Sequence, residues 1–318
     1  MTSANPAIKV GVSACLLGKP VRFNGGHKES RLCSETLGRH FQFVSICPEV
    51  AIGLGTPREP IRLVGDPNRP RAVGTVNPQL DVSDALIAYG ERMASELDDI
   101  SGYILMQKSP SCGMERVKVY QANGHSVGSG AGLFAQALMR MRPELPVEED
   151  GRLNDPVLRE NFLTRVFAHA EWQRLLGAGV TCKALVNFHS RYKYQLMASD
   201  PSQYQALGRM VATVGLESLD EFAPAYFSRL MTALKNTASR GSHCNVLQHL
   251  SGYLKKHLED GDKRELQRLI SQYREGIVPL IVPLTLLKHH FRRHPDRYIA
   301  GQAYLQPHPE NLSLRNGI

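Results

Sequence analysis

Residues 8–17, IKVGVSACLL, form a β-rich apolar run that meets a turn at Gly18, and the reading of the first half of the chain starts there. Two similar runs follow: residues 41–47, FQFVSIC, stop at Pro48, and residues 102–108, GYILMQK, stop near Pro110. Each run ends in or just before a cysteine, namely Cys15, Cys47 and Cys112. A helical pattern lies between the second and third runs. Residues 82–100, VSDALIAYGERMASELDDI, put Ala85, Leu86, Met93 and Leu97 on one face with acids opposite. Asp81 or Ser83 is placed to cap that helix. Strands alternating with helices predict βαβ units, hence an α/β N-terminal domain with a mostly parallel sheet in three layers. Ligands on such sheets sit at the carboxyl ends of the strands, so the three cysteines are expected to converge in one crevice.

Residues 117–132, VKVYQANGHSVGSGAG, read as a short strand, a turn and a glycine-rich connection. The GSGAG at 128–132 lacks the lysine of a P-loop and the spacing of a dinucleotide fingerprint, so it reads as a turn before a helix over 131–145 that stops near Pro143. Residues 143–156, PELPVEEDGRLNDP, combine three prolines with an acidic cluster. They mark a domain boundary, with the first domain over 1–145 and a linker over 146–156. Beyond it the pattern is helical: residues 157–176 and 184–198 are amphipathic, the latter ended by Asp200-Pro201, and further helices follow. The second domain, 157–318, is expected to be all-α, with Trp172, Tyr192 and Tyr194 in its core.

Composition bounds the function classes. Of the 318 residues 42% are hydrophobic and 21% charged, the ordinary usage of globular domains, so disordered and fibrous classes are excluded. No apolar run approaches the ~20 residues of a membrane span. The longest, Ile277 to Leu287, carries Pro279 and Pro283. The start, MTSANPAIKVGV, lacks the charged and apolar regions of a signal peptide, which implies a cytoplasmic chain with no membrane partner. Charge is unevenly shared: residues 1–150 hold 16 Lys/Arg and 16 Asp/Glu, whereas residues 151–318 hold 22 and 14. A neutral half joined to a basic half fits a catalytic module joined to a polyanion-binding one; the alternative is a solubilising surface.

Six cysteines without a CxxC exclude zinc ribbons and local ferredoxin motifs. Three thiolates with no fourth partner nearby point to a 4Fe–4S cluster with one iron not bound by protein, the open position being a Lewis-acid site. The alternative for any one cysteine is a small buried hydrophobe. Cys33, Cys182 and Cys244 are assigned to packing. In GTPREP, Arg58 and Glu59 read as a structural turn held by an ion pair, while Arg22 and Asn24 in VRFNGG are candidates for shaping a pocket. His289, His290 and His294, interleaved with Lys288, Arg292 and Arg293, read as a basic surface rather than a metal site.

The blocks SACLLGKPVRFNGG (13–26), CPEVAIGLGTPREP (47–60) and KSPSCG (108–113) resemble the thiouracil desulfurase (TudS) family in three separated motifs in order. The resemblance covers roughly residues 8–140. It implies a 4Fe–4S cluster on Cys15, Cys47 and Cys112, whose free iron takes the sulfur of a thiolated pyrimidine; hydrolysis leaves the oxo base with no net electron transfer. The family's catalytic acid and serine map onto Glu49 and Ser109, with Ser111 the rival serine. Glu49 follows Pro48, which fixes the turn that aims it. Ser109 alternatively braces the following turn. Lys108 either holds a pyrimidine oxygen or a phosphate, or is solvated.

The second half, through NFHSRYKYQLMASDPSQYQALGRMVA (187–212) and PLTLLKHHF (283–291), resembles the YbgA-like helical domain. The fusion of the two resembles the tRNA 4-thiouridine desulfidases (RudS group), which implies thiolated tRNA as substrate and partner. The basic charge of that half fits independently, since phosphate contacts supply affinity without reading sequence. Arg191, Lys193, Lys255, Lys256, Arg292 and Arg293 are the candidate RNA contacts. The rivals are the same chemistry on free thiouracil, an iron–sulfur or zinc sensor that binds nucleic acid without catalysis, and a structural adaptor with buried cysteines.

Overall fold

The computed structural model describes residues 7–121, 123–216, 218–309, 312, 314 and 315. Residues 1–6, which carry most of the leader reading, lie outside them. The chain divides into two compact units that meet between Asn154 and Asp155.

The first unit opens with β1 (Ile8–Ser13), followed by a 3-10 turn over Ala14–Leu17 that Gly18 ends in the left-handed region at φ 79°. Then come β2 (Phe41–Ile46), the single turn α1 (Pro48–Ala51), β3 (Ile61–Asp66), β4 (Arg69–Gly74), α2 (Ser83–Glu96) and β5 (Ile100–Leu105). β6 (Val117–Tyr120), β7 (Ser126–Gly130), α3 (Leu133–Met141) and β8 (Val147–Glu149) complete it. Four strands form a wholly parallel sheet in the order β2-β1-β5-β8. Every residue of β5 is buried, as befits a central parallel strand.

The other four strands hold the antiparallel pairings that the expectation of a mostly parallel sheet allows but does not locate. They make a second sheet, β4-β3-β6-β7, in which β3–β4 and β6–β7 are antiparallel hairpins and only β3–β6 is parallel. The glycine-rich stretch is thus partly strand: Gly128 and Gly130 pair with Val119 and Val117. α2 and α3 pack on each other, Gly90 facing Ala137 at a distance that leaves no room for a Cβ. Leu86 and Leu133 join the second sheet's core, and Phe134 meets the Tyr103 ring of the first sheet at 6.0 Å. α2 is shorter than its periodicity suggests, because the chain must turn at Leu97 to enter β5. Asp81 accepts the Ser83 N–H at 3.0 Å, while the Ser83 hydroxyl accepts from Ala72 of β4.

The proline-rich stretch at 146–156 is not a linker throughout. Val147–Glu149 is edge strand β8, paired in parallel with Tyr103–Leu105, and Glu148, Glu149 and Asp150 are all buried. Pro146 sits just before the strand, where its missing N–H costs no ladder bond, and its carbonyl accepts from Tyr103.

The second unit is helical: α4 (Pro156–Gly177), α5 (Cys182–Ser199), α6 (Pro201–Ala212), α7 (Leu219–Leu234), α8 (Arg240–Tyr253), α9 (Asp260–Arg274), α10 (Ile281–Arg293) and the short α11 (Arg297–Ala300). Asp155 and Asp200 cap α4 and α6, each followed by proline at the first helical position. Trp172 stacks on Phe227 at 4.6 Å in one core cluster, and Tyr194, Leu247 and Leu287 centre a second. Cys244 is packed in that second cluster. Among the described residues no helix is long and apolar enough to cross a membrane.

Candidate active site

β2, β1 and β5 are neighbours in one parallel sheet, so their carboxyl ends open on the same side. Cys15 lies just past β1, Cys47 just past β2, and Cys112 in the loop that follows β5. All three line one cavity of about 380 Å³. Cys47 is the residue before α1, where Pro48 starts the turn and Glu49 projects from it.

Glu49 is the hub of the cavity. Arg58 donates to its Oε2 from Nε at 2.9 Å and from Nη2 at 2.7 Å. The Ser111 hydroxyl donates to its Oε1 at 2.6 Å. Ser111 is only 1% exposed. Its single proton goes to Glu49, so at the 3.0 Å contact between the two serine hydroxyls Ser109 is the donor. The result is a chain Ser109–Ser111–Glu49. Ser109 Oγ also accepts the backbone N–H groups of Ser111 and Cys112, the bracing role that a serine in a turn plays. Ser111 is therefore the serine in contact with the carboxylate, and Ser109 reaches it only through Ser111.

Arg58 is the site residue that sequence reading placed elsewhere. It is an ion-paired turn residue as expected, but its partner is Glu49, not its neighbour Glu59. Glu59 instead accepts the backbone N–H of Asn77 at 2.7 Å and that of Val76. The Arg58 side chain is 5% exposed, its Nη1 donates to the Gly55 carbonyl, and its backbone N–H ties to Phe23. Arg22, Lys28 and Lys108 also line the cavity, Lys108 with φ 58°. Asn24 does not: its Oδ1 accepts the Gly26 N–H at 3.1 Å, an Asx turn that shapes the loop rather than the pocket.

The loop carrying both serines and Cys112 is held at its two ends. Asp150 accepts the Gln107 N–H at 3.1 Å, and Glu149 accepts the Met114 N–H at 2.9 Å. The acidic run at 148–150 thus serves the site.

Burial pushes the Cys15 thiol up to about 11 and the Cys112 thiol up to about 12, and raises Cys47 as well. The negative field of Cys47 adds to the first and that of Glu49 to the second, while Arg22 and Arg58 oppose the shifts at Cys15 and Cys47. Such thiols stay protonated in an empty site and ionise when a metal takes their charge. Three soft donors from three segments around one cavity, with arginines beside two of them, fit an iron–sulfur cluster. No three His, Cys, Asp or Glu side chains among the described residues are grouped to hold one ion. A cubane does not require that, because each thiolate binds a different iron. Cys33 is fully buried and outside the cavity, and the thiol of Cys182 is half-buried at the start of α5.

In the second unit, Arg191 is engaged internally, with Glu171 and with the Gly301 carbonyl. Lys193 lies over the rings of Tyr194 and Tyr298. Lys255, Lys256, Arg292 and Arg293 are exposed. His290 corrects the reading of 288–294 as surface: it is 3% exposed, turned inward on α10.

This arrangement defines a class, an α/β enzyme with a cysteine-lined site at the carboxyl edge of a parallel sheet. Residues 10–150 match the family described as 2-thiouracil desulfurase, and residues 193–309 match DUF1722, a protein family of unknown function. The Uncharacterized protein YbgA of Escherichia coli is 35% identical over 158 residues, covering 49% of this chain and 94% of that protein. The Uncharacterized protein YbbK of Bacillus subtilis is 32% identical over 142 residues, covering 42% of this chain and 93% of that protein. A solved [4Fe-4S]-dependent thiouracil desulfidase, TudS, is 33% identical over 46% of this chain and 94% of its own, with a TM-score of 0.37. The chain belongs to the 2-thiouracil desulfurase family through its first unit and to the YbgA-like DUF1722 family through its second. Its enzyme class is desulfidase.

Proposed function

We propose that this desulfidase removes sulfur from 4-thiouridine in tRNA, giving uridine and sulfide, with a 4Fe–4S cluster held by Cys15, Cys47 and Cys112 and one iron left without a protein ligand. The observation that carries the reading is the cavity shared by these three thiols with Glu49, Arg58 and Ser111. When bound, the cluster supplies a soft Lewis acid that polarises a thiocarbonyl and accommodates the departing sulfide. The reaction replaces C=S by C=O with one water, so protons must move but no electrons do.

Glu49 Oε1 takes the proton of the attacking water, a role supported by the place of Glu49 on the wall of the cavity that the three thiols share. The Ser109–Ser111 pair carries a proton to or from that oxygen. Arg58 holds Oε2 and so leaves Oε1 as the working atom. The tRNA assignment is supported by the excess of 22 Lys/Arg over 14 Asp/Glu in residues 151–318, and by Arg22, Lys28 and Lys108 around the cavity, which complement a phosphate-bearing substrate.

Anaerobically reconstituted protein incubated with thiolated tRNA and, separately, with free thiouracil tests the reading. Loss of the 4-thiouridine absorption from tRNA is expected; loss confined to the free base overturns the substrate assignment. Glu49→Ala is expected to keep its iron and sulfide and lose turnover by about 100-fold or more. Full turnover in that variant would remove Glu49 as the general base, whereas cluster-loaded wild-type protein that turns over neither substrate would favour a non-catalytic sensor.

A further inference from the structure

We propose that Ser13 is a positioning residue for the metal centre: its hydroxyl donates to the Cys112 sulfur and so strengthens the centre as a Lewis acid. This role rests on the cluster proposed at Cys15, Cys47 and Cys112. Ser13 is the last residue of β1, is 2% exposed, and lines the cavity that those three thiols share. Its Oγ accepts the Met106 N–H at 3.0 Å, just past the end of β5. That bond fixes the oxygen and leaves the hydroxyl proton to be given elsewhere. A buried hydroxyl calls for an acceptor, and the Cys112 sulfur is its hydrogen-bond neighbour. A thiolate can only accept, so once a metal has ionised Cys112 the Ser13 hydroxyl is the donor.

The second hydroxyl beside Cys112 does not serve. Ser111 Oγ stands 3.7 Å from the sulfur, but its one proton goes to Glu49 at 2.6 Å. Cys47 is supported differently, because the backbone N–H groups of Val50 and Glu49 at the start of α1 hydrogen-bond its sulfur. Cys112 thus draws from a side chain what Cys47 draws from the backbone. A hydrogen bond to a ligating sulfur withdraws electron density from the sulfur–iron bond. It favours the reduced cluster, which carries one more negative charge, and leaves the irons of the oxidised cluster poorer in electrons. An electron-poor open iron is the better acceptor for a thiocarbonyl sulfur. The desulfuration moves no electrons, so the reduction potential gauges this polarisation without being a step of turnover.

The test is anaerobic reconstitution of the full chain as wild type, Ser13→Ala and Ser13→Thr, with iron and sulfide counted and the midpoint potential read by EPR-monitored titration. In Ser13→Ala the balance of reduced to oxidised cluster is expected to move ~10-fold toward the oxidised form, about 60 mV lower for a one-electron couple. Ser13→Thr keeps a hydroxyl and is expected to keep the wild-type potential. Ser13→Ala also unties the Met106 N–H, but a loosened loop admits water, which favours the more negative reduced cluster and moves the potential up. The sign therefore separates a lost donor from a merely structural effect. If the alanine chain holds no cluster, Ser13→Cys is read in its place; its thiol is a weaker donor at the same position, and a potential below wild type is expected. Wild-type protein that takes up no iron and sulfide ends the cluster reading and this inference with it. Loaded protein whose potential is unchanged or raised in Ser13→Ala, or lowered equally in Ser13→Thr, overturns this inference alone.

Discussion

Glu49 and Ser111 stand 62 positions apart in the chain and 2.6 Å apart in space. Neither residue type is diagnostic alone; the pairing is what gives the carboxylate a fixed orientation. Ser111→Ala removes the donor to Oε1 and is expected to lower kcat by about 100-fold, whereas Ser109→Ala lowers it less, because the Ser111–Glu49 bond survives. Single-turnover desulfuration under anaerobic conditions measures both; a larger loss in Ser109→Ala than in Ser111→Ala would contradict the assignment of roles. Gly132 shows a steric constraint that no turn reading conveys. A Cβ there would stand 2.5 Å from the Ser111 carbonyl carbon and 2.6 Å from its oxygen. Both are backbone atoms that cannot swing aside, so Gly132→Ala is expected to cost ~1–3 kcal/mol, read by denaturant titration, and to displace the serine loop. Sequence reading singled out Cys15, Cys47, Cys112 and Glu49 through motif blocks and favoured Ser109 over Ser111, whereas it is Ser111 that bonds Glu49. Arg58 escaped because an ion pair read from sequence names a neighbour, here Glu59, and the true partner lay nine residues back on another turn.

At the scale of elements, β8 is the main revision. Pro143, Pro146 and four acids between 144 and 150 look like a solvated connection. The strand forms because parallel pairing with β5 satisfies its backbone, while Arg152 and the loop N–H groups satisfy its carboxylates. Asp150→Ala leaves the Gln107 N–H without its acceptor, at an expected cost of ~1–3 kcal/mol, and loosens the cysteine loop. Asp150→Asn keeps an accepting oxygen at the same place. Iron retained after a fixed anaerobic dialysis is expected to fall in the alanine variant and recover in the asparagine variant. Equal retention in all three proteins would show that the clamp is without consequence for Cys112. The helical elements were more legible, since their periodicity over 157–176 and 184–198 falls within α4 and α5 and Asp200-Pro201 marks the junction of α5 and α6, although the Thr181 cap that starts α5 at Cys182 was not read.

At the scale of the whole molecule, the basic half holds nine of the twelve histidines, and several are buried. Burial pushes His243 down to about 4, helped by Arg315, and also lowers His189 and His308. A depressed histidine pKa means that the unfolded chain binds the proton more readily. The stabilisation is therefore complete above pH 6.5 and is lost as pH falls from there through about 4. Thermal midpoints are expected to drop across that window, and His243→Gln to flatten the drop; an unchanged slope in the variant would remove His243 as a cause. Binding of thiolated tRNA is expected to weaken steeply with salt, with the log–log slope falling by ~1 for each phosphate-contacting lysine or arginine replaced. A flat salt dependence would detach the net +8 charge from RNA binding.

Period, composition and cysteine placement, all local or additive properties, were enough by themselves to determine an α/β first half, a helical basic second half and the thiols worth following. Tertiary structure alone decided which strands neighbour one another, that β3, β4, β6 and β7 close a separate mixed sheet, and that Arg58, Ser111, Glu149 and Asp150 serve one cavity. The division has a physical reason. Secondary structure responds to residues within a few positions, whereas hydrogen bonds between side chains depend on distances that only the packed chain sets.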